Sequence, residues 1–156
     1  MKKTTVKEIA CLVVLLVFII VLVAENRVSN AEPQEVFEAV SAASQMKKLK
    51  KCKAVKFKRE FGFSADEFES VIYYGSSDVM EVRELLIVRV KDASQTKPLT
   101  QAITSRIEEK AGLFKGYAPK QSAMLDSYVL EEKGGFVLFA VCDSPGNVSS
   151  SFKKAV

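Results

Sequence analysis

YVLEEKGGFVLFAVC, residues 128–142, contains a complete β-hairpin. Tyr128 to Glu132 alternates apolar and polar side chains, Lys133, Gly134 and Gly135 form a tight turn, and Phe136 to Cys142 is continuously apolar. An unbroken apolar strand must be covered on both faces, and the glycines suit a tight hairpin turn. Cys142, at the end of the strand, reads as a small buried hydrophobe.

A second hairpin lies upstream. Val71 to Tyr74 is β-branched and aromatic, Gly75 to Asp78 is a polar turn, and Glu84 to Val90 is a second apolar segment. Leu85 and Ile87 share a side with Arg89, whereas Leu86, Val88 and Val90 point the other way, the expected core side.

Between the hairpins, Leu99, Ile103, Ile107 and Ala111 fall four apart and Phe114 extends the stripe, predicting a helix capped near Asp92 or Thr96. Gly116 suits a left-handed C-cap, and Pro119 suits the first turn of a short helix carrying Met124 and Leu125. A helix from Pro33 with Val36, Phe37, Val40, Ala43 and Met46 precedes the first hairpin. Ser64 and Glu67 form a capping-box pattern, and Val148, Phe152 and Val156 mark a terminal helix. The order helix, hairpin, helix, hairpin, helix predicts an α+β domain: a mostly antiparallel four-stranded sheet of two hairpins, with helices on one or both faces.

Ahead of this domain, Ile9 to Ala24 is unbroken apolar sequence preceded by Lys2, Lys3 and Lys7. Sixteen helical residues reach roughly 24 Å, and snorkelling of Lys7 and Arg27 extends that toward a ~30 Å hydrocarbon core. The expected organisation is a cytoplasmic N-terminus over 1–8, a transmembrane anchor over 9–24, a linker over 25–33 and an extracytoplasmic domain over 34–156, oriented by the positive-inside rule. The alternative is a signal peptide cut after Ala31, with Ser29 and Ala31 as the small residues of an A-x-A-like site. Cys11 lies too early in the run for a lipobox and reads as a membrane-embedded filler, while pairing of Cys52 with Cys142 is left open.

Charge is uneven. From Lys47 to Arg59 the chain reads KKLKKCKAVKFKR, whose Lys47, Lys48, Lys50, Lys51, Lys53, Lys56, Lys58 and Arg59 meet no acid, whereas the rest of the region after Asn30 has eleven basic and seventeen acidic residues. This cluster, expected on a helix with Leu49, Cys52 and Val55 as its buried stripe, could meet an anionic lipid surface or wall polymer at about 1 kcal/mol per well-placed cation. A solvated helix face is the plainer account. Phe57 and Phe61 read as core anchors, and nucleic acid is not an expected partner.

Catalytic signals are weak. There is no histidine, which removes the usual general base of hydrolases and the commonest zinc ligand. Ser94 with Lys97 and Ser151 with Lys154 match S-x-x-K, but such matches arise by chance in a chain rich in both residues, and the S-D-N and K-T-G partners are missing. Glu108 with Glu109 and Glu131 with Glu132 are adjacent pairs whose side chains diverge, unlike carboxylates converging on a glycosidic bond. No cofactor or metal is expected. Arg106, beside the apolar stripe, could clamp a carboxylate, either Glu84 on the neighbouring strand or a ligand's. Tyr117 lies between two helices, where its ring can pack and its hydroxyl bond to backbone. A recognition site is therefore sought around Tyr117, Arg106 and Glu84, in a non-catalytic module binding an envelope protein or polymer. A small envelope enzyme without histidine chemistry is the alternative.

The strand containing Glu84, VKDAS over 90–94, the helix with Arg106 and Ile107, FKGYAP over 114–119 and GGFVLFAV over 134–141 together resemble the bacterial family catalogued as domain of unknown function 4358. The resemblance implies an exported, membrane-anchored or lipid-anchored protein of clostridia-like Gram-positive bacteria, and it implies no chemistry. Family members with a lipobox cysteine differ here, since this chain has none at the end of its apolar run.

Overall fold

The computed structural model describes residues 2–25, 28–44 and 49–156. Its elements in chain order are α1 (Lys2–Glu25), α2 (Pro33–Ser44), β1 (Lys50–Lys51), α3 (Ala54–Phe61), β2 (Ser70–Gly75), β3 (Glu84–Arg89), α4 (Thr96–Phe114), α5 (Pro119–Asp126), β4 (Val129–Lys133), β5 (Phe136–Val141) and α6 (Pro145–Ala155). Short 3-10 turns at Ala65–Glu67 and Ala93–Gln95 precede β2 and α4. Both carry capping boxes, Ser64 with Glu67 and Asp92 with Gln95, so each satisfies backbone donors that would otherwise be orphaned.

The sheet is antiparallel throughout, in the order β1-β2-β3-β5-β4. Five strands replace the four expected. The added strand, β1, comes from inside the basic run: Lys50 pairs with Gly75 and Lys51 with Tyr74. Two exposed lysines carry no apolar alternation, so only the neighbouring edge of β2 makes them a strand. The basic run is thus part strand and part helix. Val55, expected in its buried stripe, is 78% exposed, while Phe57 and Phe61 are buried as expected. Lys47, Lys48 and Met46 lie outside the described residues.

Both faces of the sheet are covered. Leu86 and Val88 of β3 join Val137, Phe139 and Val141 of β5 under Phe57 and Phe61 of α3 and Leu99, Ile103 and Ile107 of α4. Leu85 and Ile87 join Phe136, Leu138 and Ala140 under Val36 and Val40 of α2 and Val148 and Phe152 of α6. The Leu85 and Ile87 side, expected to be the outer one, is therefore a second core. Helices on both faces bury every residue of β5, which its unbroken apolar sequence requires.

Both expected hairpins are present, β2 pairing antiparallel with β3 and β4 with β5. The turn from β4 to β5 places Gly134 and Gly135 at φ 61° and 82°, where a side chain is disfavoured. Gly116 is at φ 92°, two residues past the end of α4, and Pro119 opens α5 as its first residue. Cys142 belongs to the α2 and α6 core, Cys52 packs against the α3 and α4 core, and both are free thiols.

In α1 the described side chains are those of residues 7–20, and among the described residues no helix is long and apolar enough to cross a membrane. The expected span over 9–24 extends past those side chains, although the helix itself continues to Glu25. The large apolar residues from Ile9 to Ile20 are all exposed, packed against neither core.

Candidate functional site

Glu84 opens β3 on the side of Leu86 and Val88, so the alternation that buries those two also carries a carboxylate beneath α4. It is only 2% exposed, and its demands are met from three directions. Tyr73 of β2 donates its hydroxyl to Oε2 at 3.0 Å. Arg106 Nη1 and Lys110 Nζ, one helical turn apart on α4, donate to Oε1 at 2.9 and 3.1 Å. A buried charge persists only when paired and hydrogen-bonded, and this one is paired twice.

The network extends outward. Arg106 Nε donates to Glu60 Oε2 at 3.1 Å, and Arg59 Nη2 donates to Glu60 Oε1 at 3.1 Å. The Arg106 guanidinium also lies 4.9 Å from the centre of the Phe61 ring, a cation–π contact. Burial works to lower the Arg106 pKa, but the Glu84 charge and hydrogen bond outweigh it and hold the pKa above its ordinary value. Tyr73 is pushed well above its ordinary 10 by burial first and by the Glu84 charge second. For Glu60, desolvation works upward, yet the hydrogen bonds and charges of Arg59 and Arg106 win and lower it below 4.5.

This network floors a cavity of ≈ 620 Å³ between α3, α4 and the loop from Gly75 to Arg83. Lys56, Arg59, Arg83, Arg106 and Lys110 line it together with Glu60, Asp78, Glu81, Glu84 and Glu109, so its charges balance. Lys56 closes one side, donating to the Ser76 carbonyl at 2.8 Å with its ammonium 5.8 Å from the Tyr73 ring centre.

Next to the cavity, and sharing Lys56, Arg59 and residues 75–77 with it, lies a groove of ≈ 370 Å³ between β1 and α3. Lys50, Lys51, Lys53, Lys56 and Arg59 line it, and among the described residues no acidic one does. Cys52 is the thiol in this groove. Burial raises its pKa above the ordinary 9.0, with Lys56 acting in the opposite direction, so it stays protonated at neutral pH and is a poor nucleophile.

Of the residues singled out from sequence, Arg106 and Glu84 meet directly, and Lys50, Lys51, Lys53, Lys56 and Arg59 share the groove. Lys58, on the opposite side of α3, is exposed and lines neither space. Tyr117 does not join Arg106 and Glu84. It is 61% exposed and stacks on Phe114 at 5.6 Å, beyond the C-terminal end of α4. Three members of the network were not anticipated: Tyr73, Glu60 and Lys110. The four-residue spacing of Lys110 from Arg106 was a usable signal, because it puts both cations on one helix face.

Ser94, Lys97, Ser151 and Lys154 line neither the cavity nor the groove. Among the described residues no group of three or more metal-ligating side chains converges. No curated protein and no solved structure matches the chain. A family profile, described as domain of unknown function (DUF4358), matches residues 41–142, which takes in the whole sheet, α3, α4, α5 and every residue of the Glu84 network. The chain belongs to that family.

Proposed function

We propose that the protein is a membrane-anchored, extracytoplasmic binding module, non-catalytic, that holds an anionic component of the cell envelope in the groove between β1 and α3. The observation that carries this reading is the groove's lining, among the described residues, of five cations without an acid, beside a cavity of balanced charge. Here Glu60 is shared between Arg59 and Arg106 of the Glu84 network, and Lys50, Lys51, Lys53 and Lys56 leave the groove positive. The anchor is supported by α1, a 24-residue helix whose apolar side chains from Ile9 to Ile20 pack on neither core. At 1.5 Å per residue its apolar stretch over 9–24 measures about 24 Å, which snorkelling of the flanking cations extends toward a hydrocarbon core of ~30 Å.

The test is binding of the full chain in nanodiscs to poly(glycerol phosphate), a soluble phosphodiester polymer, across a salt series. Binding should weaken as salt rises and screening shortens to about 8 Å at 0.15 M. Reversal of Lys50, Lys53 and Lys56 to Glu should weaken it by several-fold per residue, at about 1 kcal/mol per cation. Binding that ignores both salt and charge reversal would exclude the reading.

A further inference from the structure

Residues 28–31, between α1 and the domain, do not hang free. Ser29 N donates to Gly134 O at 2.9 Å, placing the segment on the turn between β4 and β5. Arg89, the last residue of β3, then takes two of its carbonyls, donating through Nη1 to Ala31 O at 2.7 Å and through Nη2 to Ser29 O at 3.1 Å. The guanidinium is itself fixed, by an ion pair from Nε to Glu69 at 3.1 Å and by the Phe136 ring 5.2 Å away. Gly134 must be glycine for this contact, because a Cβ there would stand 2.7 Å from the Ser29 Cβ.

The register of the sheet says which end this is. Arg89 pairs with Phe136 and with Ser70, whereas Glu84 pairs with Val141 and with Gly75, the partner of Lys50. The docked segment and the basic groove thus occupy opposite ends of the same strands. Five steps along β3 separate them by roughly 17 Å. From Glu25, the end of α1, to Val28 the chain reaches at most about 11 Å.

We infer that the domain stands on the membrane by its β4–β5 turn, clamped there by Arg89, and presents the basic groove away from the bilayer to an anionic polymer of the envelope. The inference rests on the anchor reading of α1. A separation of roughly 17 Å exceeds the ~8 Å screening length at physiological salt, so the groove of an upright domain is electrostatically out of reach of lipid headgroups beneath it. The anionic partner must come from the other side.

The experiment uses the full chain with Cys11→Ser and Cys52→Ser, reconstituted in vesicles, and a fluorophore on either Lys133→Cys or Ser77→Cys. A contact-range nitroxide quencher is carried on the lipid headgroups. The Lys133 label should lose most of its emission and the Ser77 label none beyond the lipid-free control, in phosphatidylcholine and in phosphatidylglycerol alike. Equal quenching of the two labels would overturn the orientation, and quenching at Ser77 that appears with phosphatidylglycerol would return the groove to the lipid surface. Arg89→Gln should erase the contrast between labels, and a contrast that survives it removes the clamp from the explanation. Release of the chain from the vesicles by alkaline carbonate would instead overturn the anchor itself, a failure distinguishable from a wrong orientation.

Discussion

Glu84 is the residue on which most of the local electrostatics depend. Its removal as Glu84→Ala leaves Lys110 without a counter-charge and the buried Arg106 with Glu60 alone, which should cost about 3–5 kcal/mol in urea unfolding. Glu60 acts more mildly and through pH. Its folded pKa lies below the ordinary 4.5, so its contribution is present above that value and is lost as pH falls through the depressed one. Acid unfolding should therefore be less steep in Glu60→Gln between pH 5 and the end of the transition. At the other junction, Gly134→Ala meets both a φ of 61° and the Ser29 contact and should destabilise by about 1–2 kcal/mol. Gly62, also at positive φ but with open space around it, should cost less when substituted, since only the backbone term remains. Arg106 and Glu84 could be marked from the chain alone, because each interrupts an apolar pattern at its edge. Tyr73 and Glu60 could not, since what joins them to Glu84 is the way β2 and α3 lie against it, a matter of packing that no local pattern encodes.

Elements with a strong period were legible. The two hairpins, α4 and α6 each carry an apolar repeat that matches their geometry, and the structure places them within a residue or two of expectation. β1 escaped for a physical reason. It is two lysines long, gains no burial, and is defined by hydrogen bonding to a strand some twenty residues away. Its charge nonetheless has a use at the edge of a sheet, where unpaired backbone groups invite other strands. Replacing Lys50 and Lys51 with Val and Ile should leave the unfolding midpoint within about 0.5 kcal/mol but promote self-association, detectable by sedimentation velocity. β5 responds in the opposite way. Phe139, fully buried with ring contacts to Phe61 and Tyr128, should cost about 3–5 kcal/mol as Phe139→Ala, with no change in association.

At the scale of the whole molecule, the sheet separates two cores as well as two ends. The α3 and α4 side carries the charged network, the cavity and the groove, while the α2 and α6 side is apolar cover. Composition hinted at this division through its bipolar charge, but the position of the groove relative to α1 needed the strand register. One consequence concerns the thiols. Cys52 and Cys142 belong to cores on opposite faces, with the sheet between them, so no rearrangement short of unfolding lets one reach the other. The folded domain should melt at the same temperature with and without a reductant. It can therefore serve unchanged in an oxidising or a reducing compartment, because its stability needs no bond between Cys52 and Cys142.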